Sequence, residues 1–442
     1  MTDRLRKVIY MVLGIKFLIA LISGLGYFSH PHIIRQVDTM SVGLNYWLRW
    51  SDGVAAPYFF HNFLPGSLGG GDTAGITPME FPLLNLLIAP WFSLGHYWGF
   101  SASFIFVMCL NFGAFWWHYL EWRKVSKKMG DTALLMGMFG ISSMFMMRVM
   151  PDFLSMILVS ISCAYSFQKK SRLASFGLLS VGLLMKPTSA IALAVMFLKD
   201  FKLSIRRDFF WVILGLGVAG LYYTKGLEFL TSVADSIGYF KVEPVSPLIG
   251  LKNFVLHIEK LPTLIFKSFF SRHTIVPIII GMILRPKRSY IFILFLISIQ
   301  CLTIFALDEH HAYTHEYYFL GATFLISFLI IEIMEGANNK IIISIICLMI
   351  IFTFERGFYR LKPIWKNSLR SNASDIINQV PEILNQRAIK TRHSNPPEIG
   401  LLFGKFQGNS MKAKYLINHS QSNCLNKITS NKSFLICSNN LQ

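Results

Sequence analysis

The feature that most constrains this chain is a succession of long apolar segments separated by short basic or polar stretches. A helix of about 20 apolar residues crosses a hydrocarbon core about 30 Å thick, so these segments are candidate membrane spans. With 53% hydrophobic residues and a mean hydropathy of +0.49, the 442-residue chain is typical of a polytopic membrane protein. The predicted spans are residues 8–28, 101–121, 131–148, 152–168, 174–185, 188–199, 208–224, 273–284, 289–307, 317–334 and 339–354.

The distribution of basic residues predicts how these spans are oriented. A net charge of +19 in a soluble protein would suggest nucleic-acid binding, but here the basic residues cluster between apolar segments. We therefore expect membrane lipids as partners and no nucleic acid. About eleven spans that start from a cytoplasmic amino terminus place every basic cluster on the cytoplasmic side. These clusters are Arg4–Lys7, Arg123–Lys128, Lys169–Arg172, Lys199–Arg207, Arg285–Arg288 and Lys340.

Two apolar regions are not predicted to form simple spans. A span at Glu80–Phe100 would move the Arg123–Lys128 cluster outside, so this proline-containing stretch is predicted to lie in the membrane interface. Residues 29–100 then form one long first outer loop with interfacial helices, and one of these helices starts near Asp38. At Lys186, the following proline is predicted to break an apolar run into two short helices or to kink it.

The resulting fold class is an all-α polytopic membrane protein with a small mixed α/β C-terminal domain on its outer face. The transmembrane domain covers residues 1–354, and the polar C-terminal region covers residues 355–442. Four of the six cysteines lie in apolar runs and are predicted to be packing residues. In an oxidising compartment, Cys424 and Cys437 are candidates for a disulfide that closes a short hairpin.

This topology concentrates notable polar residues on the outer side and leaves the spans nearly free of ionisable groups. Transporters and proton relays usually carry ionisable side chains near the middle of the membrane. The asymmetry therefore favours chemistry at the outer membrane surface over passage through the bilayer.

Five stretches occur in an order that resembles a known enzyme class: RQVDTMSVGLNYWLR, GGGDTAGITPMEFPLLNLLIAPWF, RVMPDFLSMILVSISCAYSF, LLMKPTSAIAL and HEYYFLGATFL. Over roughly residues 1–335, the chain is similar to bacterial multi-spanning glycosyltransferases of the GT-C class. These are relatives of the protein O-mannosyltransferases and the lipid A aminoarabinose transferases. The resemblance implies a polyprenyl-phosphate sugar donor and a long first outer loop with an acidic residue near its start.

The chemistry of such a transfer gives candidate roles to two acids. A carboxylate must accept the proton of the attacking hydroxyl, and Asp38 matches the acid of the first loop. Asp38 also fits a helix cap, which is compatible with catalysis. Glu80, where the class commonly has an acid, is the second catalytic candidate and is expected to position acceptor, donor or metal. Its alternative role is a helix-dipole interaction.

Cationic groups or a metal must stabilise the charge on the departing phosphate. The candidate substrate-binding residues are Arg35, Arg148, Asp152, Lys186, Arg272, His315 and Tyr317. Glu80, His311 and His315 are candidate ligands of a divalent metal, since the two histidines are four residues apart. Helix-start signals at Pro151-Asp152 and snorkelling of Lys186 to the interface are the structural alternatives.

The predicted function is transfer of a sugar from a polyprenyl-phosphate-linked donor to an acceptor on the outer face of the cytoplasmic membrane. The acceptor (protein, lipid or glycan), the sugar, and an inverting or retaining outcome are left open. The alternatives are a transporter or flippase for a lipid-linked saccharide, a polysaccharide polymerase or ligase, and a non-enzymatic assembly factor.

Overall fold

The computed structural model describes the backbone of most of the predicted membrane region and of five strands near the C-terminus. Within helices and strands, the side chains of some of these residues are not described. The described residues are 1–23, 36, 39–40, 42–44, 46–47, 62–63, 76–77, 81–138, 140–198, 201–226, 252, 255–256, 272–284, 286–307, 316–336, 343–345, 347–348, 388–391, 406–407, 415–419, 427–430 and 434–438.

The first half of the described chain is helical apart from one short strand pair. Its helices are α1 (Asp3–Ser23), α2 (Leu83–Ile88), α3 (His96–Val125), α4 (Lys127–Met136), α5 (Gly140–Met146) and α6 (Pro151–Phe167). A 3-10 helix, Ala89–Leu94, continues α2 and ends at Gly95, whose φ of 84° favours glycine. Strands β1 (Asn62–Phe63) and β2 (Ile76–Thr77) pair in antiparallel orientation.

The second half begins with α7 (Arg172–Met185), which is followed by a 3-10 helix, Pro187–Leu198. Helix α8 (Phe201–Leu221) ends in a π-helical turn, Tyr222–Gly226. The remaining helices are α9 (Arg272–Leu284), α10 (Arg288–Leu307) and α11 (Thr323–Gly336), and a 3-10 helix, Glu316–Ala322, leads into α11.

Near the C-terminus, five strands form one sheet in the order β4-β3-β5-β7-β6. They are β3 (Ala388–Thr391), β4 (Phe406–Gln407), β5 (Tyr415–His419), β6 (Lys427–Ser430) and β7 (Phe434–Ser438). Strand β3 pairs in parallel with β4 and β5, whereas β7 pairs in antiparallel orientation with β5 and β6. The mixed α/β outer-face domain stays a prediction, as does the disulfide, because Cys424 lies outside the described residues.

The apolar core is built around α6, which contacts both α3 and α7. Large side chains without solvent exposure fill it, among them Trp122, Phe153 and Phe324. Helices α6 and α7 approach each other most closely at Gly182. A β-carbon at Gly182 would lie 2.9 Å from the carbonyl oxygen of Ser155 and 2.8 Å from Cγ2 of Val159. A side chain at Gly182 would therefore force the two backbones apart.

Several predicted spans are broken or shorter than expected. Residues 131–148 were predicted as one span, but α4 ends at Met136 and α5 starts at Gly140. The break at Lys186-Pro187 is confirmed, and the second piece is a 3-10 helix. Among the described residues, two helices are long and apolar enough to cross a membrane, Trp98–Val125 and Tyr318–Glu335. The count of about eleven spans stays a prediction.

Two ionisable side chains that lie inside predicted spans are buried and have polar partners. Lys16 of α1 is buried, and its Nζ donates to the carbonyl oxygen of Gly137 at 3.3 Å. Gly137 directly follows the last residue of α4, and the last carbonyl groups of a helix lack hydrogen-bond partners within that helix. His118 of α3 is also buried, and its Nε2 lies 2.8 Å from the hydroxyl of Ser160 on α6. The expectation of spans nearly free of ionisable groups stays a prediction, and each of these two groups has a polar partner.

Candidate active site

Charged and aromatic side chains meet where α6 begins and α7 ends. Lys186 Nζ lies 3.8 Å from Oδ1 of Asp152, and the ammonium lies 5.5 Å from the ring centroid of Tyr318. The side chains of Lys186 and Asp152 are only 5% and 2% exposed. We refer to Asp152, Lys186 and Tyr318 as the Lys186 site. It places a buried cation, its carboxylate partner and a phenol in one small region.

Local sequence signals fix each member of the Lys186 site. Pro151 starts α6, where its missing N–H costs no hydrogen bond, and Asp152 follows in the first turn. Lys186 ends α7 in an extended conformation (φ −158°, ψ 108°), since the following proline disfavours helical geometry in the residue before it. Tyr318 lies in the 3-10 helix that precedes α11.

Arg148 lies in the turn between α5 and α6 and is buried. Asn111 of α3 donates from Nδ2 to the carbonyl oxygens of Met146 and Arg148, both at 3.2 Å. The Arg148 Nη1 donates to the carbonyl oxygen of Met147 at 3.0 Å. Helix α3 thereby holds the turn that brings Arg148 to the start of α6.

The two predicted catalytic acids, Asp38 and Glu80, lie outside the described residues together with Arg35. Their described neighbours bind to the same end of the bundle. The Gln36 Oε1 accepts from the backbone N–H of Val149 at 3.4 Å, and the Phe81 N–H donates to the Leu184 carbonyl at 3.1 Å. The Thr39 carbonyl accepts from Asn85 of α2 at 2.8 Å. The residues on either side of the predicted acids are thus tied to the ends of α6 and α7 and to α2.

The remaining predicted residues are placed only in part. Arg272 is the first residue of α9, and Tyr317 lies in the 3-10 helix beside Tyr318; neither side chain is described. His311 and His315 lie outside the described residues, so the metal set with Glu80 stays a prediction. Within the described part of the chain, no group of three or more His, Cys, Asp or Glu residues could hold a metal.

Sequence reasoning missed several residues near Lys186. The Tyr223 hydroxyl, in the π-helical turn after α8, donates to the Leu184 carbonyl at 2.7 Å. The Tyr222 ring meets the Phe81 ring edge-on, with centroids 5.6 Å apart. Ser155 and Ser189 hydrogen-bond to each other beside the helix break at Lys186. Isolated tyrosines and serines in apolar segments carry no pattern that could have revealed these roles.

The opposite end of the helices carries a different set of charges. Helix α6 is about 25 Å long, at about 1.5 Å per residue, so its last turn lies far from Asp152. Lys128 pairs with Glu332 and, at 2.9 Å, with Glu335, while Lys287 lies 3.1 Å from Glu332. Arg6 pairs with Asp131 at 2.7 Å. We refer to these six residues as the basic-end network.

All three basic residues of this network come from predicted cytoplasmic clusters, and two of them have raised pKa values. The hydrogen bond to Asp131 raises the pKa of Arg6, against the effect of burial. Burial lowers the pKa of Lys128, but its hydrogen bonds to Glu332 and Glu335 outweigh burial and raise it above the usual value. These residues are charged at neutral pH. Arg6 links α1 to α4, and Lys128 links α4 to α11.

The Lys186 site has the chemistry for an anionic ligand. A lysine ammonium is a compact charge with three donors, and a buried ammonium acts more strongly on a phosphate than a solvated one. The carboxylate of Asp152 balances the ammonium, and the Tyr318 ring adds a cation–π contact. Such a group can neutralise charge that develops on a departing phosphate.

No family model matches this chain, and no curated protein matches it in sequence. Two crystal structures of ArnT from Cupriavidus metallidurans, one in the apo state and one bound to undecaprenyl phosphate, match it in fold. Each alignment covers 98% of both chains with a TM-score of 0.57, at 9% and 10% sequence identity. ArnT is a lipid A aminoarabinose transferase, a GT-C glycosyltransferase. The similarity to the GT-C class that the sequence suggested is confirmed at the level of the fold, which is a polytopic membrane fold.

Proposed function

We propose that this protein is a membrane glycosyltransferase that takes its sugar from a polyprenyl-phosphate-linked donor. The observation that carries the proposal is the buried Lys186 site at one end of an ArnT-like bundle. ArnT is similar in fold and binds undecaprenyl phosphate. A cation, a carboxylate and an aromatic ring in one buried region suit a lipid phosphate better than they suit a neutral ligand.

In the proposed reaction, Lys186 and Arg148 bind the donor phosphate and stabilise its charge as the sugar leaves. Asp38 accepts the proton of the attacking hydroxyl, and Glu80 positions the acceptor or the donor. Arg35, Arg272, His315 and Tyr317 are proposed to contact the phosphate or the sugar. Asp152 holds the Lys186 ammonium in place before the donor arrives.

We further propose a location for the protein and the ligands of a divalent metal. The chain is expected to cross the inner membrane of a cell about eleven times, with the Lys186 site on the outer face and the C-terminal region beside it. If a divalent metal takes part, its proposed ligands are Glu80, His311 and His315, and it would stabilise the phosphate charge. Loss of transfer in a chelator, with recovery on addition of the metal, would support that assignment.

A second candidate function is a flippase for a lipid-linked saccharide. The buried Lys16 and His118 favour it, because ionisable groups within helices are common in transport pathways. Both are accounted for structurally, however, since Lys16 binds a carbonyl oxygen freed at a helix end and His118 binds Ser160. The Lys186 site lies at one end of the helices, so the transferase is the better explanation.

The decisive experiment measures sugar transfer by purified protein in liposomes that contain a polyprenyl-phosphate sugar. The variant Asp38→Asn is expected to reduce transfer by about 10²–10⁴-fold, the range for loss of a general base. Lys170→Ala, at the opposite end of the helices, is the matched control and should leave transfer unchanged. Near-normal turnover by Asp38→Asn would reject the general-base assignment. Movement of the lipid across the bilayer without product would favour the flippase.

A further inference from the structure

Two buried serines form a hydrogen-bonded link between α6 and the break between two helices at Lys186. Ser155 lies one turn after Asp152 on α6, and Ser189 lies in the 3-10 helix that follows Lys186. Their hydroxyl oxygens are 2.6 Å apart, and the Ser155 hydroxyl is also 2.6 Å from the carbonyl oxygen of Gly182. The residues are 0% and 5% exposed, so water does not compete for these bonds.

Counting protons assigns the direction of each bond. The Ser155 hydroxyl has one proton, and the Gly182 carbonyl can only accept, so Ser155 donates to Gly182. Ser189 must then donate its own proton to the Ser155 oxygen. The Ser189 backbone N–H donates to the Lys186 carbonyl at 3.1 Å. This chain of hydrogen bonds, which we call the serine relay, therefore runs from Ser189 through Ser155 to Gly182. The backbone N–H of Ser189 also holds the backbone of Lys186.

The same carbonyl connects the relay to the backbone of Lys186. The Gly182 oxygen accepts the Lys186 N–H at 3.0 Å as well as the Ser155 hydroxyl. The absence of a side chain at Gly182 lets α6 come close enough for this bond. Lys186 is thus held on both sides, through Gly182 before it and Ser189 after it. Asp152, three residues before Ser155 on α6, faces the same break.

We propose that Ser155 and Ser189 are positioning residues that fix the break at Lys186, so that its ammonium meets the donor phosphate. This inference rests on the proposed function, because it assigns a role to residues that support Lys186 and touch no substrate themselves. Lysine has a long and flexible side chain. When its backbone is fixed, it binds a phosphate more tightly, because less conformational freedom is lost on binding. Loss of the relay lets the break relax and moves the ammonium away from its place beside Asp152.

The test measures the affinity of the full-length protein in nanodiscs for undecaprenyl phosphate, with undecaprenol as the probe that lacks phosphate. Ser155→Ala is expected to weaken phosphate binding by roughly tenfold, comparable to loss of one charge-assisted contact. Undecaprenol binding should not change. In the transfer assay, KM for the donor rises by a similar factor, while kcat at saturating donor changes less than about twofold.

Ser160→Ala is the matched control, since Ser160 is a buried serine on the same helix with two hydrogen bonds. It binds His118 at 2.8 Å and Trp122 at 3.0 Å, away from Lys186. Ser155→Ala and Ser160→Ala should lower the midpoint of thermal unfolding by similar amounts, but only Ser155→Ala should weaken phosphate binding. Equal losses of phosphate affinity in both variants would overturn the proposal.

A double-mutant cycle separates positioning from a general effect on the fold. The background is Asp152→Asn with Lys186→Met, which removes both charges and keeps the volume. If Ser155 acts through Lys186, Ser155→Ala causes no further loss of phosphate affinity in this background. A further tenfold loss there would overturn the proposal. If Ser155→Ala does not fold, Ser189→Ala replaces it in the cycle; it removes the donor to Ser155 and keeps the Ser155–Gly182 bond, so a loss of phosphate affinity in the same direction but smaller is expected.

The cycle also distinguishes the two proposals from each other. If the wild-type protein binds undecaprenyl phosphate no better than undecaprenol, the proposed function fails. If wild type binds the phosphate more tightly than the charge-free background does, the Lys186–Asp152 pair is confirmed as a contributor to phosphate binding. In that case, an unchanged affinity of Ser155→Ala overturns the serine relay alone.

Discussion

The two ends of the helical bundle use charge in different ways. In the basic-end network, the described acids are closely paired: Glu332 with two lysines and Asp131 with both Arg6 Nε and Nη2. Most of these distances are 2.7–3.1 Å. At the Lys186 site, the Lys186–Asp152 contact is 3.8 Å, although both side chains are buried.

This difference separates structural charges from charges suited to binding. Short bonds to several partners hold an acid between two helices and leave its cations little freedom to meet a ligand. The contact between Lys186 and Asp152 is longer, so this contact holds the ammonium less tightly than the short bonds hold the cations of the basic end. The comparison predicts that variants at the basic end affect stability alone, whereas variants at the Lys186 site affect both stability and binding.

The largest expected effect comes from removing the carboxylate at the Lys186 site. Asp152→Ala leaves a buried ammonium without its carboxylate, which costs about 3–5 kcal/mol in buried pairs. We expect a large fall in the midpoint of thermal unfolding in detergent and poor yield. The double variant Asp152→Asn, Lys186→Met should recover most of the stability and should bind donor more weakly than wild type does. Equal stability of Asp152→Ala and wild type would refute the buried ion pair.

Part of this arrangement could be predicted from sequence. The break at Lys186 follows from Pro187, and the placement of Asp152 follows from the helix-start signal Pro151-Asp152. These are local effects, in which neighbouring residues determine the backbone conformation. The sequence order of the five motifs predicted a GT-C-like fold, which the similarity to ArnT confirms.

The rest depends on contacts between distant segments and could not be predicted. Ser155 meets Ser189 across 34 residues, and Lys128 meets Glu332 across 204. The break between α4 and α5 was also missed, because no proline marks it. There Gly137 packs against Phe115 so closely that a β-carbon would lie 2.6 Å from its ring. Such tertiary packing overrides the continuous apolar pattern of residues 131–148.

The second prediction concerns the basic end. Asp131 accepts from Arg6 Nε at 2.7 Å and from Nη2 at 3.1 Å, which links α1 to α4. Asp131→Asn is expected to cost about 1.5–3 kcal/mol, the range for hydrogen bonds to charged groups. Thermal unfolding should show this loss, while affinity for undecaprenyl phosphate should equal that of wild type. A loss of phosphate affinity as large as that of a Lys186 variant would remove the distinction between the two ends.

The third prediction concerns the close approach of α6 and α7. Gly182→Ala places a β-carbon against the Ser155 carbonyl and Val159, and the resulting overpacking costs about 1–3 kcal/mol. It also disturbs the carbonyl that holds Lys186, so phosphate affinity falls. Gly177→Ala, on the same helix with nothing within 4 Å, is the control. The control should gain about 0.5–1 kcal/mol from helix propensity. Similar effects of the two substitutions would contradict the close packing.

The smallest effect is expected at the exposed edge of the basic-end network. Glu335 is 43% exposed and pairs with Lys128 at 2.9 Å, whereas Glu332 is 12% exposed and binds two lysines. Glu335→Gln should cost no more than about 0.5 kcal/mol, because solvent and salt screen exposed pairs. Glu332→Gln should cost more, and its loss should be less sensitive to salt.

The raised pKa of Lys128 defines the pH range in which Glu335→Gln and Glu332→Gln should differ in stability. A lysine whose pKa is raised in the folded state stabilises that state. This stabilisation is fully present below the usual lysine pKa of 10.5, and it is lost as pH rises through the pKa of the folded state. At neutral pH, thermal unfolding should therefore rank wild type and Glu335→Gln close together, with Glu332→Gln below them. Above the raised pKa, the gap between wild type and Glu332→Gln should narrow, because Lys128 no longer carries a charge. A gap that is independent of pH would mean that Glu332 acts through packing and its bond to Lys287 rather than through Lys128.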